Sequence, residues 1–271
     1  MTVRERPGKL ATALALLVGV FLLLPLLAVV PVSFTARRYL SMPGGEYSLR
    51  HYRTLVEDPL WLEGLVLSLR VGLVSAFLAT TLALAFCLGL WMYRPRFATL
   101  LGGFALLPML APPVVSALTL YFFLVSVGQL SDTLAYDTWL GVALAHAVMV
   151  APFAVLVIGV ALGRVDRRID LAARGMGAGP LVRIARVIVP NIRFGIAGAL
   201  FLTFVLSWDE IGVTLFITSI DAVTLPRVMW MGLRDNVDPA IAAASVVFIG
   251  VATTVILGRA AWRALSARTE R

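Results

Sequence analysis

The sequence predicts an all-α integral membrane protein with six transmembrane helices, and three observations carry that prediction. Hydrophobic side chains make up 60% of the 271 residues and charged ones only 14%. That is more apolar side chain than a soluble core of this size can hide, so lipid must cover the excess. Charge-poor runs recur that are long enough to cross a membrane, since about 20 helical residues at 1.5 Å rise span a hydrocarbon core of about 30 Å. Lys and Arg, finally, are divided unevenly between the segments that join these runs.

The first run, residues 10–34, follows Arg4, Arg6 and Lys9. It is too long for the apolar core of a signal peptide and lacks a small-residue cleavage site, so it reads as an uncleaved anchor. The second run, 64–93, carries Arg70 near its start, and the third, 97–127, contains Pro108, Pro112 and Pro113. The fourth covers 139–162, the fifth 194–217 and the sixth 239–257, all within one transmembrane domain over 1–271. An even number of spans puts both termini on one side. Of 23 Lys and Arg, the opposite side would hold only Arg37, Arg38, Arg50, Arg53, Arg227 and Arg234, with Arg70 left inside a span. Cationic loops resist translocation, so both termini are expected in the cytoplasm. Tyr39, Tyr47, Tyr52, Trp61, Trp139 and Trp230 then lie near outer span ends, where amphipathic rings favour the headgroup region.

A net charge of +8 and a pI near 10.5 would point to nucleic acid in a soluble protein. Here the basic residues flank apolar runs, so they address the membrane and no nucleic-acid partner is expected. The single cysteine, Cys87, rules out an intramolecular disulfide and reads as a small buried hydrophobe. No H-E-x-x-H, G-x-S-x-G or phosphate-binding G-x-x-x-x-G-K-[ST] pattern occurs, which argues against an enzyme and against ATP hydrolysis by this chain. A stand-alone carrier draws support from Asp209, Glu210 and His146, but the paired interrupted repeats of such carriers are not evident. His146, with no carboxylate chain beside it in sequence, reads as a hydrogen-bonded interior histidine rather than a proton relay. Tyr121, Phe122 and Phe123 read as core or lipid-facing aromatics.

Between the fourth and fifth spans, residues 165–193 are neither a minimal turn nor a domain. Ile169, Ala172, Ala173 and Met176 recur at helical spacing, Gly177, Gly179 and Pro180 interrupt, and Leu181, Ile184, Val187 and Ile188 resume the stripe before Pro190. Arg174, Arg183 and Arg186 fall between the apolar positions. Such a short amphipathic helix pair either lies on the membrane or docks into a partner.

Asp170-Leu171-Ala172-Ala173-Arg174-Gly175-Met176-Gly177-Ala178, followed by Val187-Ile188-Val189-Pro190, resembles the EAA loop of ABC importer permeases. That motif runs Glu-Ala-Ala, three residues, Gly, nine residues, Ile, any residue, Leu-Pro. Ala172, Ala173, Gly177 and Pro190 match at the motif's offsets, Val187 and Val189 are conservative replacements, and Leu171 stands where the motif has Glu. The resemblance implies the type I importer permease fold and a loop whose coupling helices seat in a cytoplasmic ATP-binding subunit. Gly177 is expected to allow the turn between the helices, and Pro190 to end the second helix before the next span. It further implies a second permease subunit, an ATP-binding subunit dimer, an extracytoplasmic solute-binding protein, and ATP and Mg used by the partner rather than bound here.

Leu206-Ser207-Trp208-Asp209-Glu210-Ile211-Gly212-Val213-Thr214-Leu215-Phe216, Thr224-Leu225-Pro226 and Val237-Asp238-Pro239-Ala240 resemble segments of spermidine/putrescine-type permeases, though the last lacks the Glu and Asn of that pattern. Carboxylates within an apolar run are costly unless they face water or a partner. Asp209, with Trp208 beside it and Glu210 next in line, is therefore a candidate for lining a cation pathway in the outer half of the fifth span. The competing reading is an ion pair, for instance with Arg70, or a polar contact to the second permease. Other amines, ferric iron and sulfate remain as substrates of sister permeases.

Overall fold

A computed structural model describes residues 8–235 and 237–269. Its helices in chain order are α1 (Lys9–Ser33), α2 (Arg50–Glu57), α3 (Pro59–Tyr93), α4 (Ala98–Leu110), α5 (Pro113–Gly128), α6 (Trp139–Gly163), α7 (Arg167–Gly175), α8 (Pro180–Arg183), α9 (Val189–Trp208), α10 (Thr214–Ile217), α11 (Leu225–Asp235) and α12 (Ala240–Thr269). One turn of 3₁₀-helix (Asp132–Leu134) precedes α6, and one turn of π-helix (Ile184–Ile188) joins α8 to α9. Among the described residues, five helical stretches are long and apolar enough to cross a membrane, and α4 with α5 makes a sixth if the pair is taken as one span. The chain divides into two compact units, Glu63–Val228, and Met1–Leu62 with Met229–Arg271.

The unit Glu63–Val228 is built on α3, α6 and α9. Ala83, Cys87, Leu88 and Trp91 of α3 pack with Ala154, Ile158 and Leu162 of α6, and with Ile192 and Ala199 of α9. Lipid tails are as apolar as these side chains, so helices here gain from close contact rather than from escape from water, and small residues make contact close. Gly195 of α9 allows a close approach to α6, because a Cβ there would collide with the Ala161 Cβ. Toward the opposite end of the same bundle, Val71, Ala117, Leu120, Leu124, Val142, Val213 and Ile217 bring α5 and α10 against α3 and α6. Thr138 caps α6, accepting the Gly141 N–H at 3.1 Å.

Two spans differ from the sequence expectation. The run 97–127 is two helices meeting at 98° across Ala111 and Pro112. A residue before proline is pushed out of the helical region, and Ala111 and Pro112 both precede one; their ψ angles are 137° in each case. Pro113 then opens α5 at a position where the missing N–H costs nothing. The fifth span, expected at 194–217, begins at Val189 and ends at Trp208. Pro190 does not end a helix as expected. Its lost N–H is absorbed by a shift of register just before it, where the Val189 N–H bonds the Ile184 carbonyl five residues back, and the Asn191 side-chain amide donates to the Val187 carbonyl at 2.7 Å. Pro180 to Trp208 is thereby one 29-residue helical stretch.

The other unit pairs α1 with α12, and α12 with α2. Helix α1 is apolar around its whole circumference and exposed along most of its length, as fits a helix meant for lipid or another membrane helix. At its end Ser33 hydrogen-bonds the Tyr52 hydroxyl at 2.7 Å, and His51 Nε2 lies 3.0 Å from the Arg37 carbonyl oxygen.

Gly195→Val should separate α6 from α9 and cost about 1–3 kcal/mol, seen as a lower melting temperature of the purified protein in detergent. Gly198→Ala, whose added Cβ meets only Val157 Cγ1 at 4.0 Å, should leave it unchanged or raise it.

Candidate functional site

The loop after α6 forms the two short helices expected there. Asp166 caps α7 by accepting the Arg168 N–H at 2.9 Å. The helix ends in a left-handed turn at Gly177, φ 83°, closed by Gly177 N–H to Arg174 and Ala178 N–H to Ala173 carbonyl bonds at 3.0 and 3.1 Å. Gly177 thus supplies the sharp turn for which the sequence singled it out. Ala173 is buried, whereas Ala172, Arg174, Gly177, Arg186 and Pro190 are exposed and Arg183 is half-buried. Leu171, where the motif has Glu, is 61% exposed. Asp170 does not take that Glu's outward place. It turns inward, and Arg183 grips it with Nε to Oδ1 at 2.8 Å and Nη2 to Oδ2 at 2.6 Å. This grip holds the Arg183 guanidinium above its ordinary range. Arg167, at the start of α7, lies 4.8 Å over the Trp91 ring and donates to the Trp91 carbonyl at 3.1 Å, tying α7 to the end of α3.

At the far end of α9 the structure separates the three pathway candidates. Trp208 is the last helical residue, half-buried, its ring 5.9 Å from that of Phe204. Asp209 and Glu210 stand beyond the helix, not inside a span as expected. Glu210 is tied up locally: its Oε1 accepts the Val213 N–H at 2.8 Å and its carbonyl accepts the Thr214 hydroxyl at 2.9 Å. Asp209 is exposed, and among the described residues its carboxylate forms no ion pair with Arg70 or any other cation. The α4–α5 bend lies close by, since a Cβ on Gly212 would come 3.8 Å from the Cβ of Pro113. The α4–α5 break therefore meets the turn that Asp209 opens, at Gly212. Irregular backbone at membrane depth is tolerated where it is buried in protein or lines a wet cavity.

Beneath this turn runs a buried polar chain. His146, 1% exposed, places Nδ1 2.9 Å from Ser207 Oγ and Nε2 2.9 Å from Thr214 Oγ1. Ser207 Oγ lies 2.8 Å from Ser75 Oγ, which also reaches the Val71 carbonyl. Ser75 donates to the Val71 carbonyl and Thr214 to the Glu210 carbonyl, so the chain is anchored on backbone at both ends. His146 is the hydrogen-bonded interior histidine the sequence suggested, and it joins α3, α6, α9 and α10. The serines could have been flagged as polar residues inside apolar runs, but not paired.

A second feature had no sequence signal, because its partners lie 82 to 85 residues apart. Asp137, at φ 59°, accepts four successive backbone N–H groups, from Ser219, Ile220, Asp221 and Ala222, at 2.7 to 3.1 Å. Arg227 closes the same loop, donating to Thr218 Oγ1 and to the Ser219 carbonyl. Burial pushes the Asp137 carboxyl pKa up, but the four amide donors outweigh it and hold the group below its ordinary range. Among the described residues no three His, Cys, Asp or Glu side chains gather to hold a metal ion.

A helical membrane unit with a coupling-type loop at one end and broken helices at the other defines a transport permease. The chain belongs to the family described as binding-protein-dependent transport system inner membrane component, whose model matches residues 81–270. It is a multi-pass inner-membrane protein and a transport component. It is 30% identical over 256 residues to the putrescine transport system permease protein PotI of Escherichia coli strain K12, covering 93% of this chain and 88% of that one. It is 32% identical over 193 residues to a probable molybdenum ABC transporter permease of Haloferax volcanii, covering 69% of this chain and 71% of the relative. The fold matches a chain in the crystal structure of a bacterial ABC transporter that imports the acidic polysaccharide alginate, with TM-score 0.71 at 13% identity over 96% of this chain and 99% of that one.

A carboxylate with a depressed folded pKa stabilises above its unfolded pKa and ceases to do so as pH falls through the folded value. Asp137→Asn should therefore lower the melting temperature at pH 7 by about 2–4 °C, the effect of about 1 kcal/mol in a chain of this size, kept small by solvent screening. The difference from wild type should shrink below about pH 4. A difference that persists unchanged at about pH 3 would mean that the ionised carboxylate is not its source.

Proposed function

We propose that this chain is the permease subunit of an ATP-driven importer for a polyamine such as putrescine or spermidine, with Asp209 as the pathway group that meets the cationic substrate. The observation that carries the reading is the free Asp209 carboxylate at the turn that the α4–α5 break meets, while neighbouring Glu210 is occupied in closing the turn. The named relative that spans most of this chain, the putrescine permease PotI, supports the same substrate class. Trp208 would offer a ring face to an ammonium group, and Glu210 would hold the turn rather than the substrate.

Arg94, Arg96, Arg164, Arg167, Arg168, Arg174, Arg183, Arg186 and Arg193 gather at the end of the α3–α6–α9 bundle where α3 and α6 finish and α9 begins. By the charge rule that end is cytoplasmic, and with it both termini. Ala172, Arg174, Gly177, Arg186 and Pro190 then form the exposed face of the loop that meets an ATP-binding subunit dimer, while Ala173 and Arg183 of the same loop turn inward and hold its shape. A second permease subunit and an extracytoplasmic solute-binding protein complete the machine. This chain binds no cofactor and catalyses nothing itself; the partner uses ATP and Mg. ATP-driven closure of the partner shifts the permease between inward-open and outward-open states through differential binding.

The test is uptake into proteoliposomes carrying the whole transporter. Asp209→Asn should lower putrescine uptake about tenfold, the worth of about 1.4 kcal/mol, with the ATP-binding subunit still bound, whereas Glu210→Gln should first lower thermal stability. Undiminished putrescine uptake by the Asp209 variant would remove it from the pathway. Molybdate uptake with no putrescine uptake would favour an oxyanion substrate.

A further inference from the structure

Helix α7 has nine residues, too few to hold its shape alone, so its position depends on what it is tied to. Among the described residues, two side-chain hydrogen-bonding ties link it to other helices. Arg167 binds it to Trp91 of α3, and Asp170 binds it to Arg183 of α8. The second tie reaches α9, because α8, the π turn and α9 form one helical stretch. A guanidinium and a carboxylate joined by two parallel bonds hold each other in one plane, unlike a single bond about which the partners can swing. Both side chains are 11% exposed, so little water competes for the pair. Across the Gly177 turn, where the backbone offers a hinge, the fork is the rigid connection between α7 and the helix that continues to Asp209.

Building on the permease reading above, we propose that Asp170 and Arg183 are a positioning pair that transmits displacement of α7 to α9, so that ATP hydrolysis in the partner drives transport. The pair takes no part in gripping the partner. That surface is the outward face of the loop, with Leu171, Arg174 and Met176. Movement of α7 therefore pulls α9 along with it, and Gly177 flexes only when the fork is cut.

The test measures ATP hydrolysis and substrate uptake together in proteoliposomes holding this chain, its partner permease, the ATP-binding subunit and the solute-binding protein. Asp170→Asn and Arg183→Gln should each lower uptake about tenfold while hydrolysis stays within about twofold, a coupling loss in the usual range for linked sites. Arg183→Lys keeps the charge but loses the fork and should fall between wild type and Arg183→Gln. The swap Asp170→Arg with Arg183→Asp should restore the ratio of uptake to hydrolysis. Equal losses of uptake and hydrolysis in the single variants, or a swap no better than either of them, would overturn the proposal. If the wild-type chain neither retains the ATP-binding subunit nor supports uptake, the permease reading itself fails, an outcome separate from a working wild type with unaffected variants.

Discussion

Backbone hydrogen bonding without water is the constraint on which this structure depends. In hydrocarbon an unpaired N–H or C=O costs several kcal/mol, so helices must be continuous or every interruption must find its own partners. The chain meets that demand at both ends of α9 and in the loop after α10. Before Pro190 the ladder shifts to five-residue bonds, and the Asn191 amide covers the Val187 carbonyl. After Trp208 the Glu210 carboxylate accepts the Val213 N–H, and the Thr214 hydroxyl donates to the Glu210 carbonyl. Further out, Asp137 collects four amides from the loop that follows α10. Glu210, a pathway candidate in the sequence, thus serves the backbone, as do Asn191 and Asp137.

That accounting explains why one acidic residue stands apart. With Glu210 and Asp137 both committed, Asp209 is left exposed at the end of α9, the same helix whose other end runs through the π turn into the coupling-type loop. Twenty residues of helix, about 30 Å long, separate the two ends. A helix of that length, packed along α6 with Gly195 against Ala161, transmits displacement better than a chain of loops would. Below Asp209, the Ser75–Ser207–His146–Thr214 chain holds the turn to α3 and α6.

Much of the fold was legible beforehand, because hydrophobic runs report the number and rough bounds of the spans. Ala172, Ala173, Gly177 and Pro190 likewise placed the loop, and Gly177 has the left-handed turn its position called for. The misplacements have physical causes. Periodicity is blind to register shifts, so Pro190 looked like a stop when a π turn carries the helix past it. Pro108 and Pro112 look alike within an apolar run, yet Pro108 stays inside α4 while Pro112, followed by Pro113, turns the chain by 98°. Asp209 and Glu210 were set inside the fifth span because an apolar stretch continues past them. The inward turn of Asp170 and the Asp137 loop lock depend on partners distant in sequence, which local pattern does not encode.

The proposed coupling requires α8, the π turn and α9 to work as one lever between the loop and the Asp209 turn. The most direct measurement is the ratio of substrate uptake to ATP hydrolysis in the reconstituted transporter after softening the junction with Ala185→Gly and Val187→Gly, each glycine costing about 1 kcal/mol of helix stability. Hydrolysis near the wild-type rate with uptake reduced about tenfold or more is the result expected of such a lever. Uptake that keeps pace with hydrolysis in this variant would contradict it.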